Sequence, residues 1–120
     1  MRTSEVLNTA ADVLEQRGWV GYDCPGNYDT WGWGENLTGP ICIEGGILAA
    51  LGRPSRFTSI EIERCPAGRA ISDYLDRHET CALWRWNDVE GRTAAEVIEV
   101  LRACAVIEAA REQRPAEVSA

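Results

Sequence analysis

Apolar residues recur at helical spacing from the start of the chain. The pattern predicts a first helix over residues 3–17, followed by Gly18 at the position where a left-handed residue commonly ends a helix. Its apolar stripe consists of Val6, Leu7, Ala10, Val13 and Leu14. We therefore expect an amphipathic helix that buries one face.

A second helix is predicted over residues 40–51, because Pro40 suits the first helical turn. Cys42 then falls in that first turn. Gly45 and Gly46 lie inside the helix. Because glycine lowers helix propensity, a helix that tolerates two of them indicates close approach of another backbone.

The middle of the chain gives a less regular pattern. Residues 56–64 favour a short helix or an irregular segment, and residues 66–77 favour a third helix. The side chains expected to face inward from this third helix are Ala70, Ile71, Tyr74 and Leu75. Residues 79–92 are expected to connect it to the last helix.

The last helix has the clearest start in the chain. Thr93 and Glu96 have the spacing of a capping box, in which each side chain accepts a hydrogen bond from the other residue's amide. The apolar stripe that follows consists of Val97, Val100, Leu101, Cys104 and Ile107. Pro115 ends the helix, and residues 115–120 are expected to form a frayed tail.

The segment between the first two helices is rich in tryptophan and glycine and predicts one long ordered loop. Its aromatic residues are Trp19, Tyr22, Tyr28, Trp31 and Trp33. Burial of aromatic rings offsets part of the backbone entropy that ordering costs. We expect Trp19 and one of Trp31 and Trp33 to be buried, and the other to stay exposed as an anchor for a partner. The alternative is a loop that only completes the core.

The chain has 120 residues, of which 45% are hydrophobic and 26% charged, as is typical of one soluble globular domain. With the helical patterns, this predicts an all-α fold, a compact bundle of about four helices over residues 1–114. No apolar run reaches the ~18–20 residues that a membrane helix needs. The first twenty residues lack the pattern of a signal peptide. We expect a cytoplasmic protein without membrane contact.

The formal net charge is −7, and all 12 basic residues are arginines. This balance disfavours direct nucleic-acid binding, which needs several cations facing phosphates. An acidic protein can instead mimic a nucleic acid, but a mimic needs one dense acidic face, and the carboxylates here are scattered among arginines. Mimicry therefore stays open as an alternative only.

The five cysteines contain no C-x-x-C pair, and His78 is the single histidine, so no metal site is expected. Phosphate-loop and dinucleotide motifs are absent from the sequence, so no cofactor is expected. Cys42 is a candidate nucleophile, because the helix dipole lowers the pKa of a thiol in the first turn. In that case His78, as the single histidine, would have to act as the general base that deprotonates Cys42. The helical pattern gives no reason to place the two together, and a buried structural Cys42 is the competing interpretation.

The run over residues 84–92 combines two tryptophans with an Asn-Asp turn and an arginine. It suggests a polar recognition patch beside an aromatic floor. The candidate binding residues are Trp84, Trp86, Asn87, Asp88 and Arg92. The competing interpretation is that the whole run forms the entry to the last helix.

The run over residues 86–97 reads W-N-D-x-x-G-R-T-x-x-E-V, and residues 42–47 read C-x-x-G-G-I. Together with Gly18-Trp19, these motifs resemble a small family of unknown function from actinobacteria and the phages that infect them. The resemblance extends to about Leu101 and implies a shared fold and source, but no reaction.

We therefore expect a small acidic accessory or regulatory protein that binds another protein, phage-encoded and directed at a host protein if the source is a phage. The alternatives are a thiol-dependent enzyme that uses Cys42 and an acidic nucleic-acid mimic.

Overall fold

A computed structural model describes residues 1–21, 39–52 and 59–114. These residues contain six α-helices and no β-strand. The helices are α1 (Thr3–Arg17), α2 (Ile43–Leu51), α3 (Ser59–Arg64), α4 (Pro66–Leu75), α5 (Ala82–Asn87) and α6 (Ala94–Glu112). The predicted all-α class is confirmed, with six helices in place of about four.

The core lies where α1 packs against α2 and α6. Its fully buried side chains include Leu7, Leu14, Ile43, Ile47, Leu48, Val97 and Leu101. A Cβ on Gly46 would lie 3.4 Å from the Ala10 carbonyl oxygen of α1, so α2 approaches the α1 backbone closely at this glycine. The close approach that the glycine pair predicts is therefore present at Gly46.

The start of α2 differs from the prediction. Residues 18–20 and Ile41 run side by side, and their backbones are joined by hydrogen bonds of 3.1 and 3.2 Å. This pairing keeps Ile41 extended, so the helix begins at Ile43 instead of Pro40. Cys42 is consequently the N-cap residue and not part of the first turn.

A helix also replaces part of the connection expected over residues 79–92. The Glu63 carboxylate of α3 accepts hydrogen bonds from the amides of Cys81 (3.0 Å) and Leu83 (3.3 Å). These bonds satisfy amide groups that the start of a helix leaves without partners. The group that caps α5 is therefore the carboxylate of Glu63, 18 residues before Cys81. The sequence around α5 itself contains no signal for this cap.

The expected loop and tail fall mostly outside the described residues, which exclude 22–38 and 115–120. Trp31 and Trp33 lie in the excluded range 22–38, so the prediction about their exposure stays a prediction. Trp19 is described and is partly buried. None of the helices in the described part of the chain is both long and apolar enough to cross a membrane.

Candidate functional site

A buried amide ties the predicted recognition run to two distant segments. The Oδ1 atom of Asn87 accepts hydrogen bonds from the Trp19 indole (2.6 Å) and from the Ile43 amide (3.0 Å). Its Nδ2 atom donates to the Val20 carbonyl (3.1 Å) and to the Asp88 carboxylate (3.0 Å). Asn87 has no exposed surface. Its amide joins α5, the start of α2 and the segment after α1.

Trp86 lies beside Asn87 and is 7% exposed. The guanidinium of Arg92 stacks 4.1 Å from the centre of its ring and donates to the Trp86 carbonyl (3.1 Å). The same arginine donates to Glu96 (3.1 Å), whose carboxylate completes the capping box with Thr93. Trp86 and Arg92 therefore form the entry to α6, as the competing interpretation of this run proposed.

Two of the predicted binding residues reach further towards the surface. Trp84 is 37% exposed on α5. Asp88 is half-buried, and this burial raises the pKa of its carboxyl, while the hydrogen bond from Asn87 opposes the rise. Trp84 is thus the most exposed of the predicted binding residues in this run, and Val89, which was not predicted, is 43% exposed.

The two candidate catalytic residues occupy different environments. Cys42 is buried, and its sulfur accepts a hydrogen bond from the Gly45 amide at 3.4 Å. Burial raises the pKa of the Cys42 thiol to about 12, and the charges of Glu44 and Asp88 add to the rise. The sequence predicted that the helix start would lower the pKa of Cys42. The pKa is raised instead, because desolvation of the thiolate outweighs the hydrogen bonds from backbone amides.

His78 follows α4 and is exposed, with its ring nitrogens 3.9 Å from Asp73 and 3.5 Å from Asp76. No hydrogen bond joins it to Cys42 in the described part of the chain. It lines an open cleft of about 470 Å³, and Cys42 is not among the residues that line this cleft. The structure therefore does not bring the two together.

We call this cavity the α3–α4 cleft. Its walls come from α3, from α4 and from the segment that follows α4. The residues that line it are Ile60, Glu63, Arg64, Arg69, Ser72, Asp73, His78, Glu79 and Thr80.

The second concave site is a groove of about 180 Å³ between α4 and α6, the α4–α6 groove. The residues that line it are Ala70, Asp73, Tyr74, Cys104, Ile107, Glu108 and Arg111. Tyr74 is 46% exposed and Ile107 is 40% exposed, although both were expected to face inward. The apolar stripes of α4 and α6 extend beyond the area where the two helices cover each other.

Sequence reasoning missed several of these residues. Glu44 looks like an ordinary surface residue near a helix start, yet it is 1% exposed. Arg64 and Arg69 have no motif around them, and only the fold brings both to one cleft. A signal for the groove was present in the apolar stripes, which we interpreted as core.

No group of three or more His, Cys, Asp or Glu side chains within the described ranges could hold a metal ion. No curated protein and no solved structure matches the chain. A model of a family of unknown function, DUF6197, matches residues 1–106, which is most of the chain. The motifs over residues 42–47 and 86–97 lie inside the matched region. The chain therefore belongs to this family of unknown function.

Proposed function

We propose that this chain is a small accessory protein that acts by binding another protein, and that the α4–α6 groove holds an apolar side chain of the partner. The observation that carries the proposal is the exposure of Tyr74 and Ile107 on either side of this groove. Val106, next to Ile107 in the chain, is 71% exposed. Exposed apolar side chains at the rim of a pocket are typical of interaction sites, where an anchor of the partner fills the pocket.

The charge of the chain favours a basic partner over a second copy. Two copies would each carry −7 and repel each other at low salt. Asp73 and Glu108 lie at the groove, and Arg111 is already paired with Glu108 at 3.1 Å. A partner segment with an apolar anchor flanked by basic residues would complement this surface.

The states of the thiols and carboxylates support a cytoplasmic binding protein over the two alternative functions. Cys42, Cys65, Cys81 and Cys104 are free thiols, as is usual in a reducing cytoplasm. A thiol-dependent enzyme would need Cys42 as a thiolate, and its raised pKa disfavours that form. An acidic mimic would need unpaired carboxylates on one face. Several exposed carboxylates are instead paired with arginines, as in the contacts of Arg102 with Asp12 and Glu15.

Affinity capture with matched variants tests the proposal. Immobilised wild-type protein is compared with a groove variant, Tyr74→Ala combined with Ile107→Asp, and with Trp84→Ala as the control. Trp84 is also an exposed aromatic residue, but it lies on α5 in the other predicted surface. The captured protein is identified, purified and titrated against all three proteins.

We expect the groove variant to bind at least about tenfold more weakly, while Trp84→Ala binds like the wild type. The reverse result would assign binding to residues 84–92 and contradict the groove assignment. Equal binding by all three proteins would contradict both surfaces.

A further inference from the structure

We propose that the α3–α4 cleft binds a small phosphate monoester through Arg64 and Arg69. This proposal does not rest on the protein-binding function, because it concerns a different class of ligand at a site that shares only Asp73 with the α4–α6 groove. The cleft volume of about 470 Å³ lies in the range of ~300–1,000 Å³ that is typical of small-molecule sites. The charges around the cleft indicate what kind of molecule it would hold.

Two of the carboxylates that line the cleft already have strong partners. Glu63 accepts hydrogen bonds from the amides of Cys81 and Leu83, at 3.0 and 3.3 Å. Glu79 is paired with Arg77 at 2.9 Å, and this contact lowers the pKa of the Glu79 carboxyl. Both carboxylates therefore already have partners other than Arg64 and Arg69.

Arg64 and Arg69 are the cations that remain. Both are exposed and both line the cleft. Within residues 1–21, 39–52 and 59–114, no carboxylate lies within 4.0 Å of either guanidinium. By contrast, Arg77, Arg92, Arg102 and Arg111 each have an acidic partner. In a chain of net charge −7, two arginines without an ion-pair partner therefore line one concave site, beside the carboxylates of Glu63, Asp73 and Glu79.

Guanidinium groups bind phosphate oxygens in a planar, two-pronged geometry, so a pair of them suits a dianionic phosphate. The other lining groups indicate the remainder of the ligand. Ser72 and Thr80 offer hydroxyl groups, and Asp73 can accept a hydrogen bond from a ligand hydroxyl. Ile60, which is 44% exposed, offers an apolar wall for a short carbon chain. A hydroxylated phosphate monoester matches this set.

The test is a calorimetric titration with inorganic phosphate and with glycerol phosphate, at about pH 8, where phosphate carries nearly two charges. A titration with glycerol tests whether the carbon part of glycerol phosphate binds by itself. A titration with chloride at matched ionic strength tests for nonspecific attraction of anions. Both phosphates should bind saturably, and glycerol and chloride should not. The Arg64→Ala/Arg69→Ala variant should bind either phosphate at least about tenfold more weakly, since it removes the charged hydrogen bonds to the phosphate oxygens. Far-UV circular dichroism confirms that this variant folds.

Arg114→Ala is the matched control. Arg114 is another exposed arginine, two residues after the end of α6, and does not line the cleft. Its replacement should leave phosphate affinity unchanged. If Arg114→Ala weakens binding as much as the double variant, the effect is general charge attraction and the proposal fails. Absence of saturable binding to the wild type overturns it as well.

Asp73→Asn gives a second measurement that does not depend on the fold of the double variant. Asp73 lines the cleft and would repel a bound dianion. Its neutralisation should strengthen binding of inorganic phosphate by about two- to fivefold. An unchanged or weakened affinity would contradict a phosphate at this site.

Discussion

The Trp19 indole donates a 2.6 Å hydrogen bond to the side-chain oxygen of Asn87, across 68 residues of sequence. The same oxygen accepts a hydrogen bond from the Ile43 amide, and the side-chain nitrogen of Asn87 donates one to the Val20 carbonyl. One buried side chain thus satisfies backbone groups of two segments, which are also hydrogen-bonded to each other through Ile41. The W-N-D motif therefore has a structural role in holding the start of α2 against α5.

Asn87→Ala should strongly destabilise the protein. It leaves the Ile43 amide and the Val20 carbonyl buried without their partner, at ~1–3 kcal/mol each. We expect the free energy of unfolding, measured in urea, to fall by about 3–5 kcal/mol. The control is Asn8→Ala, because Asn8 is an exposed asparagine and should change stability by about 1 kcal/mol or less. Equal losses in the two variants would contradict a structural role for Asn87.

Gly68→Ala should disrupt the contact between α3 and α4. An added Cβ would clash with the Ile62 carbonyl oxygen and lie 2.8 Å from the Glu63 Cα. Both are backbone atoms, so one helix has to move. We expect a loss of at least about 1–3 kcal/mol, measured in urea. Gly91→Ala is the control, because a Cβ there meets no atom within 4 Å and only its φ of +84° is unfavourable. A larger loss at Gly91 than at Gly68 would contradict this packing.

Cys42 should react slowly with alkylating reagents in the native protein. Its thiol is 2% exposed and has a pKa raised to about 12, and only the thiolate attacks. Timed alkylation at neutral pH, followed by peptide mass spectrometry, measures each cysteine separately. We expect Cys42 to be labelled at least about a hundredfold faster in denaturant than in the native state. Native labelling as fast as that of a model thiol would instead favour a reactive Cys42.

The parts of the fold that local signals determine could be predicted from the sequence. The stripe and terminal glycine predict α1, and the spacing of Thr93 and Glu96 predicts the capping box, which the structure confirms. Each of these signals acts within a few residues. The prediction for the start of α2 was wrong, because this start depends on pairing between Ile41 and residues far from it in sequence. The helix α5 was missed because Glu63 of α3 caps it.

The candidate sites were harder to predict for a related reason. Asn87 was predicted to belong to a polar recognition patch or to the entry to α6, and its partners in the structure lie 44 to 68 residues away. Tyr74 and Ile107 were interpreted as core because the period of a stripe does not tell whether another element covers it. Burial of a polar side chain and exposure of an apolar one both depend on the tertiary structure.

The Glu96 carboxylate should make stability depend on pH below neutrality. The hydrogen bond from Thr93 and the contact with Arg92 lower the pKa of Glu96 in the folded state. A lowered folded-state pKa means that the contribution is fully present above the unfolded-state value of about 4.3, and is lost as pH falls towards the folded-state value. Glu96→Gln keeps a side chain that suits a capping box but removes the charge. Urea unfolding of both proteins between about pH 7 and pH 3 should therefore show a stability difference that shrinks on acidification. A difference that stays constant over this range would mean that the charge of Glu96 does not contribute.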